Sequence, residues 1–129
     1  MKKNIFAPTE LQIQSAFFDI VRAHEPRYHE LKFLFAAPNG GLRNVVVAMQ
    51  MKKSGTRKGV LDVWFPCRRG DYVGMAFEFK VPGKKMSPAQ LEYATYLTGQ
   101  GWYCGTWFDA EAAWADVKQY LALSAESAA

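Results

Sequence analysis

Glu78 and Lys80 are charged side chains whose spacing suits chemistry on a phosphate group, and Asp62 lies upstream of them. Residues 73–81 alternate between apolar and other side chains, which predicts a β-strand. On such a strand Glu78 and Lys80 project from one face, about 7 Å apart. A carboxylate beside an ammonium group can hold a hard cation and polarise a water molecule.

A second strand is predicted at residues 61–66, with Asp62 and Trp64 on one face. Its opposite face carries Leu61, Val63 and Phe65. The residues that follow, 68–71, include the Gly and Asp typical of a hairpin turn. A turn centred on Gly70 places Asp62 directly opposite Glu78, where cross-strand Cβ atoms are about 5 Å apart.

Two carboxylates at that distance repel each other unless a cation lies between them. Mg²⁺ binds one or two carboxylates, keeps several waters and takes a substrate phosphate as a further ligand. Lys80 is placed to activate water and to stabilise negative charge on phosphorus. The alternative is an exposed Glu–Lys ion pair, worth less than ~1 kcal/mol. The flanking Phe77 and Phe79 indicate a strand in the core and favour the functional interpretation.

Three segments that contain or follow Asp62, Glu78 and Lys80 resemble, in their order and spacing, the VRR-NUC domain family of the PD-(D/E)XK nuclease superfamily. They are Gly55–Asp62 (GTRKGVLD), Phe77–Lys80 (FEFK) and Met86–Gln90 (MSPAQ), and the resemblance extends over residues 7–120. It implies a restriction-endonuclease-like α/β fold with an αβββαβ core, in which helices flank a mixed central sheet. One departure is Leu61, because the family usually has Pro before the Asp. Leucine continues the strand, so the departure affects the signature more than the chemistry.

The resemblance also implies roles for individual groups in a Mg²⁺ site that Mn²⁺ can share. The implied metal ligands are Asp62, Glu78, the backbone carbonyl of Phe79, and Glu10 directly or through water. Lys80 is implied to orient and activate the attacking water, and Gln90 to help position it. Glu10 and Gln90 each have a structural alternative. The helix dipole favours an acidic residue at the position of Glu10, and Gln90 completes a capping box with Ser87.

The function that follows is a divalent-metal-dependent, structure-selective DNA endonuclease acting on branched DNA such as four-way (Holliday) junctions. The family's stand-alone members are associated with that activity as homodimers, so a homodimer is expected. The alternatives are a catalytically weak or inactive DNA-binding or assembly module on the same fold, and a flap-specific or sequence-specific nuclease.

The net charge of +4 suits a polyanionic partner, although many proteins are this basic. The basic residues cluster in sequence around the predicted site, as groups that position phosphates would. The candidate DNA-binding residues are Lys52, Lys53, Arg57, Lys58, Arg68, Arg69, Lys84 and Lys85. Any single one of them has the alternative of a solvated loop charge.

Periodicity and capping signals predict the element order α-β-α-β-β-α-β-α. This order contains the αβββαβ core, with one additional helix after the first strand and another at the C-terminus. The signals are a capping box at Thr9, an apolar strand at 31–37, a loop at 38–41, a helix from Leu42 that stops at Gly55, a helix after Ser87, a strand at 102–107 and a helix capped by Asp109. The tryptophans at 102, 107 and 114 are predicted to be core residues rather than base-stacking platforms.

Several classes are disfavoured by composition. Cys67 and Cys104 form no CxxC pair and lie far from His24 and His29, so a zinc site is poorly supported. No signal-peptide pattern and no apolar run near ~18 residues is present. A single domain over residues 1–129 is expected, with 1–6 and 124–129 frayed, in the reducing cytoplasm of a bacterial cell or phage-infected host.

Overall fold

The computed structural model describes residues 7–38 and 45–126. Within them the elements are α1 (Glu10–His24), a 3₁₀ helix (His29–Phe33), β1 (Phe35–Ala36), α2 (Val45–Lys53), β2 (Val63–Phe65), β3 (Gly74–Phe79), α3 (Pro88–Gly99), β4 (Trp102–Trp107) and α4 (Ala110–Leu121). The predicted order of helices and strands is confirmed. The predicted loop after Pro38 and the predicted start of the second helix at Leu42 fall outside the described residues.

The four strands form one mixed sheet in the order β1-β2-β3-β4. The first two pairs are antiparallel, and β3 pairs with β4 in parallel because α3 carries the chain back across the sheet. Between β2 and β3, Val63 pairs with Phe77 and Trp64 with Ala76. This register, continued by one residue, places Asp62 opposite Glu78, as the hairpin prediction required.

Helices cover both faces of the sheet, so β3 is buried along its whole length. Phe17 of α1 packs against Phe79 and Trp107, and α4 adds Trp114 and other apolar side chains to this larger cluster. On the opposite face, α3 packs its buried side chains against a smaller cluster composed of Leu61, Ala76, Ala94 and Leu97, with Trp64 and Trp102 at its margin. The three predicted core tryptophans therefore all contact one of the two clusters.

Two details of the sequence prediction are wrong. Residues 31–34 are not a strand but belong to or follow a 3₁₀ helix, and only Phe35–Ala36 pairs with β2. Leu31 and Leu34 are both buried, a spacing that matches the three-residue repeat of a 3₁₀ helix. Leu61 does not share a face with Val63, because the chain bends at Asp62 and turns Leu61 into the cluster beneath α3.

The predicted helix ends are confirmed by their capping groups. Thr9 and Ser87 each form a capping box, and the Asp109 side chain accepts a hydrogen bond from the backbone of α4. At the end of α2, Gly55 adopts a φ of 107°, a conformation that suits glycine. The carbonyl of Ser124, which follows α4, accepts a hydrogen bond from the amide of Gly70 in the hairpin.

None of the helices in the described ranges has the length and apolar character needed to cross a membrane.

Candidate active site

Asp62 and Glu78 meet at the end of the β2–β3 hairpin, where two hydrogen bonds link Asp62 to residues 78 and 79. The amide of Asp62 donates to Oε1 of Glu78 (3.1 Å), and the amide of Phe79 donates to Oδ2 of Asp62 (2.9 Å). The carbonyl of Asp62 accepts a bond from the amide of Ala37 (2.8 Å) at the end of β1. Three segments of the chain therefore fix the carboxylate pair.

Glu78 is the one buried charged residue in the described part of the chain, with 3% of its surface exposed. Burial, the neighbouring Asp62 charge and a hydrogen bond between the two carboxyl groups raise the pKa of Glu78 to about 8. Lys80 acts in the opposite direction but does not cancel these effects. Near neutral pH, protonation of Glu78 relieves the repulsion between the two carboxylates.

Lys80 lies between two acidic side chains. Its Nζ is 3.8 Å from Oε2 of Glu78 and 3.8 Å from Oε1 of Glu10, the first residue of α1. The Lys80 side chain is 15% exposed and the Glu10 side chain 44% exposed, so the group opens toward solvent on the α1 side. Glu10 thus contacts the site through Lys80. This ion pair was not evident from the position of Glu10 in the sequence.

Gln90 makes two contacts at once: it caps α3, and its side-chain amide faces the candidate site. Its Oε1 accepts a bond from the amide of Ser87 (2.8 Å), which completes the capping box of α3. Its Nε2 donates to Oε2 of Glu78 (2.7 Å). Because the cap holds the amide oxygen, the amino end of the side chain is directed at Glu78.

Gly59 packs the chain leading to Asp62 directly against the first turn of α3. A Cβ at this position would lie 2.6 Å from the backbone carbonyl carbon of Ala89, and the φ of Gly59 is 86°. Both conditions require glycine. The close contact sets the separation between the Asp62 segment and the helix that carries Gln90. Gly59 lies in the predicted motif, but nothing in the sequence indicated that it contacts Ala89.

The donor set fits a hard divalent cation. Two facing carboxylates offer oxygen donors of the type and number that Mg²⁺ commonly takes from a protein. The carbonyl of Phe79 is the third ligand that the family resemblance implies. A cation between Asp62 and Glu78 would also oppose burial and the repulsion by Asp62, which raise the pKa of Glu78. Residues 7–38 and 45–126 hold no group of three or more His, Cys, Asp or Glu side chains arranged around one metal position. The fit therefore rests on two carboxylates together with backbone and water oxygens.

The candidate DNA-binding residues differ in their environments. Arg69 donates to Glu30 (2.6 Å) and to the carbonyl of Leu121, and its side chain is only 14% exposed. It joins the hairpin to the 3₁₀ helix and α4, which is a structural role. The other seven candidates are exposed; they are Lys52, Lys53, Arg57, Lys58, Arg68, Lys84 and Lys85. The contact between Arg69 and Glu30 spans 39 residues, so sequence reasoning had no local signal for it.

We expect substitutions in the capping box to separate the two roles of Gln90. Gln90→Glu keeps an oxygen for the cap but sets a carboxylate oxygen in place of the amino donor beside Glu78, so the DNA cleavage expected from the sequence should fall by about tenfold or more while α3 stays capped. Ser87→Ala removes the cap oxygen and should cost about 1 kcal/mol of stability with a smaller effect on activity. Activity assays with urea unfolding measure both quantities. Equal activity in Gln90→Glu and wild type would show that Gln90 only caps the helix.

Comparison with known proteins agrees with this architecture. The chain has the mixed sheet flanked by helices of the restriction-endonuclease-like α/β class. A solved structure described as a VRR_NUC domain protein superposes with a TM-score of 0.74, over 96% of this chain and 93% of that chain, at 19% sequence identity. The chain therefore has the fold of a VRR_NUC domain protein, as its sequence motifs predicted. No protein-family model and no curated protein matches the sequence.

Proposed function

We propose that this chain is a VRR-NUC-type nuclease, a divalent-metal-dependent endonuclease that hydrolyses phosphodiester bonds in branched DNA. One observation carries the proposal: a buried glutamate, Glu78, contacts Asp62, Lys80 and Gln90 at the end of a core strand. Burying a carboxyl group beside another costs stability, and a bound cation would offset that cost. The fold shared with a VRR_NUC domain protein supports the same assignment.

Each side chain has a distinct task in the proposed reaction. Asp62, Glu78 and the carbonyl of Phe79 would hold Mg²⁺ or Mn²⁺, and Glu10 would contribute through water. When bound, the metal supplies Lewis-acid stabilisation of charge on the phosphate and leaving oxygens. Lys80 orients the attacking water and stabilises developing negative charge, since its ammonium lies beside Glu78. Gln90 is a positioning residue, because it holds Glu78 rather than the reacting atoms.

A cleavage assay on supercoiled plasmid and on a four-way junction tests the assignment. Purified protein should cut DNA with Mg²⁺ or Mn²⁺ and lose this activity in EDTA. A panel of flaps, forks, four-way junctions and linear duplex then ranks the substrates. DNA binding without cleavage under every metal condition would instead identify an inactive DNA-binding module on this fold.

Cysteines 67 and 104 are free thiols, which agrees with the proposed cytoplasmic location.

We expect DNA binding to weaken steeply with salt through three pairs of basic residues. The pairs are Lys52 with Lys53, Arg57 with Lys58, and Lys84 with Lys85. The slope of log K against log salt falls by about one unit for each phosphate that the protein no longer neutralises, so replacing the pairs one after another should flatten the slope stepwise. Fluorescence anisotropy across a salt series measures it.

A double variant of Arg27 and Lys118 provides the control for this experiment. Both are exposed cations, and Arg27 follows the end of α1 opposite to Glu10, the residue that reaches the site. Their neutralisation should leave the slope near its wild-type value. A slope unchanged by neutralising all three pairs would show that DNA binds along another surface.

The proposed homodimer would use the apolar side of α2. This helix has no buried residue, and Val45, Val46 and Met49 are 73%, 62% and 65% exposed. A second copy of the chain would cover this surface, and two copies related by a two-fold axis would present two sites for the paired cuts that a junction requires.

We expect sedimentation equilibrium to give about twice the monomer mass of 14.6 kDa. Val46→Glu combined with Met49→Glu should yield monomers, because two charges would be buried at the interface. Leu11→Glu is the matched control, since Leu11 is 70% exposed on α1 and should leave the mass unchanged. Wild-type protein that is strictly monomeric and cuts junctions no better than duplex would refute this part of the proposal.

A further inference from the structure

A cavity of about 280 Å³ lies along one side of α3. Its lining consists of Ala89, Glu92, Tyr93 and Tyr96 from the helix and Lys58 from the loop before β2. The four helix residues are spaced so that they follow one another along a single stripe. The stripe is therefore a continuous surface facing Lys58.

The cavity adjoins the candidate active site at two points. Ala89 immediately precedes Gln90, which donates to Glu78. Lys58 immediately precedes Gly59, whose backbone packs on Ala89 and leads to Asp62. The loop before β2 and the first turn of α3 therefore contribute residues to both the cavity and the site.

The side chains of the cavity offer three kinds of contact. Tyr96 is 64% exposed, so a face of its ring is available for stacking. Tyr93 is held by edge-to-face packing against Trp64, with ring centroids 6.1 Å apart, and forms a fixed aromatic floor. Lys58 is exposed and can contact a phosphate, while the Glu92 carboxylate can accept a hydrogen bond from a base amino group.

We propose that this cavity is a subsite for one unpaired nucleotide of the DNA substrate. The base stacks on Tyr96 and its phosphate lies at Lys58, while Glu92, between these two residues along the stripe, accepts a hydrogen bond from the base amino group. A base within a duplex is covered on both faces by its neighbours, so only an unpaired one can stack in this way. The inference rests on the proposed nuclease function and gives it a physical basis for preferring branched or frayed DNA over intact duplex.

A protein segment is the competing occupant, and the charge of the surroundings favours nucleic acid. Lys58 lines the cavity, the exposed Arg57 precedes it in sequence, and the chain has a net charge of +4. Tyr96 beside a basic loop matches the combination of aromatic platform and cationic groove by which proteins bind single strands.

Quenching of 2-aminopurine fluorescence tests the subsite directly. A short single-stranded oligonucleotide with one 2-aminopurine is titrated with protein in EDTA, which prevents cleavage. Wild type and Tyr96→Phe should bind and quench, because both keep an aromatic ring. Tyr96→Leu should bind about tenfold more weakly and lose the quenching. Leu91→Ala, an exposed position on α3 outside the cavity, should match wild type, and binding of blunt duplex should be the same in all four proteins.

The outcomes separate this inference from the function on which it rests. Wild type that cleaves DNA, with Tyr96→Leu binding and quenching like wild type, would refute the subsite and leave the nuclease assignment intact; a protein-binding role for Tyr96 predicts this result. Wild type that neither binds nor cleaves any DNA would refute the nuclease function and the subsite together.

Discussion

Lys80→Ala is expected to lower the rate of DNA cleavage by about two to three orders of magnitude, as loss of a group that stabilises transition-state charge does. Glu78→Ala should have at least as large an effect. Lys80 is the cation nearest the carboxylate pair, with Nζ 3.8 Å from Glu78, so no other described side chain of the site replaces its charge. Single-turnover cleavage of a labelled junction measures the rate.

The loss of rate is informative only if folding and DNA binding persist. Circular dichroism and anisotropy should show a folded protein that binds DNA within a few-fold of wild type. Lys118→Ala removes an exposed lysine on α4 and serves as the matched control with wild-type turnover. Turnover near the wild-type rate in purified Lys80→Ala or Glu78→Ala would exclude the proposed mechanism.

The second large effect concerns the stability of the metal-free protein as a function of pH. The pKa of Glu78 is raised from 4.5 to about 8 in the folded state, chiefly by burial and by Asp62. Between these two values the folded state binds more protons than the unfolded state, so stability falls as pH rises and the loss is complete above the folded pKa. The expected loss is about 2–4 kcal/mol.

Urea unfolding in EDTA from pH 5 to pH 9 measures this dependence. Glu78→Gln, which is neutral throughout, should flatten the profile and be more stable than wild type at the alkaline end. Added Mg²⁺ should stabilise wild type more than the variant, since the cation binds between two charged carboxylates. A variant profile as steep as that of wild type would assign the pH dependence to other groups.

Much of the site could be predicted because its determinants are local. Strict alternation located β3, and the predicted register of β2 and β3 is confirmed. The turn itself differs, because Arg69 pairs with Tyr72 and the turn is not centred on Gly70. The boxes at Thr9 and Ser87 depend on residues three apart, so helix starts could be located from sequence.

What the sequence did not reveal depends on contacts between distant segments. The apolar run at 31–37 suits either a strand or a short helix, and packing of Leu31 and Leu34 decides in favour of the 3₁₀ helix. Arg69 has the sequence context of a DNA-binding residue. Its ion pair with Glu30 forms only in the folded chain, because the two residues are distant in sequence. The approach of Gly59 to Ala89 likewise arises only when α3 docks on the sheet.

The shared use of Gln90 links the site to the motion of α3. A single side chain closes the first turn of the helix and holds Glu78, so fraying of that turn and release of the carboxylate are one event. Transient opening at the helix start would therefore loosen the site without unfolding the sheet. Hydrogen exchange at the amide of Gln90, which donates to the Ser87 side chain, would report how often the site is assembled, and bound metal should slow that exchange.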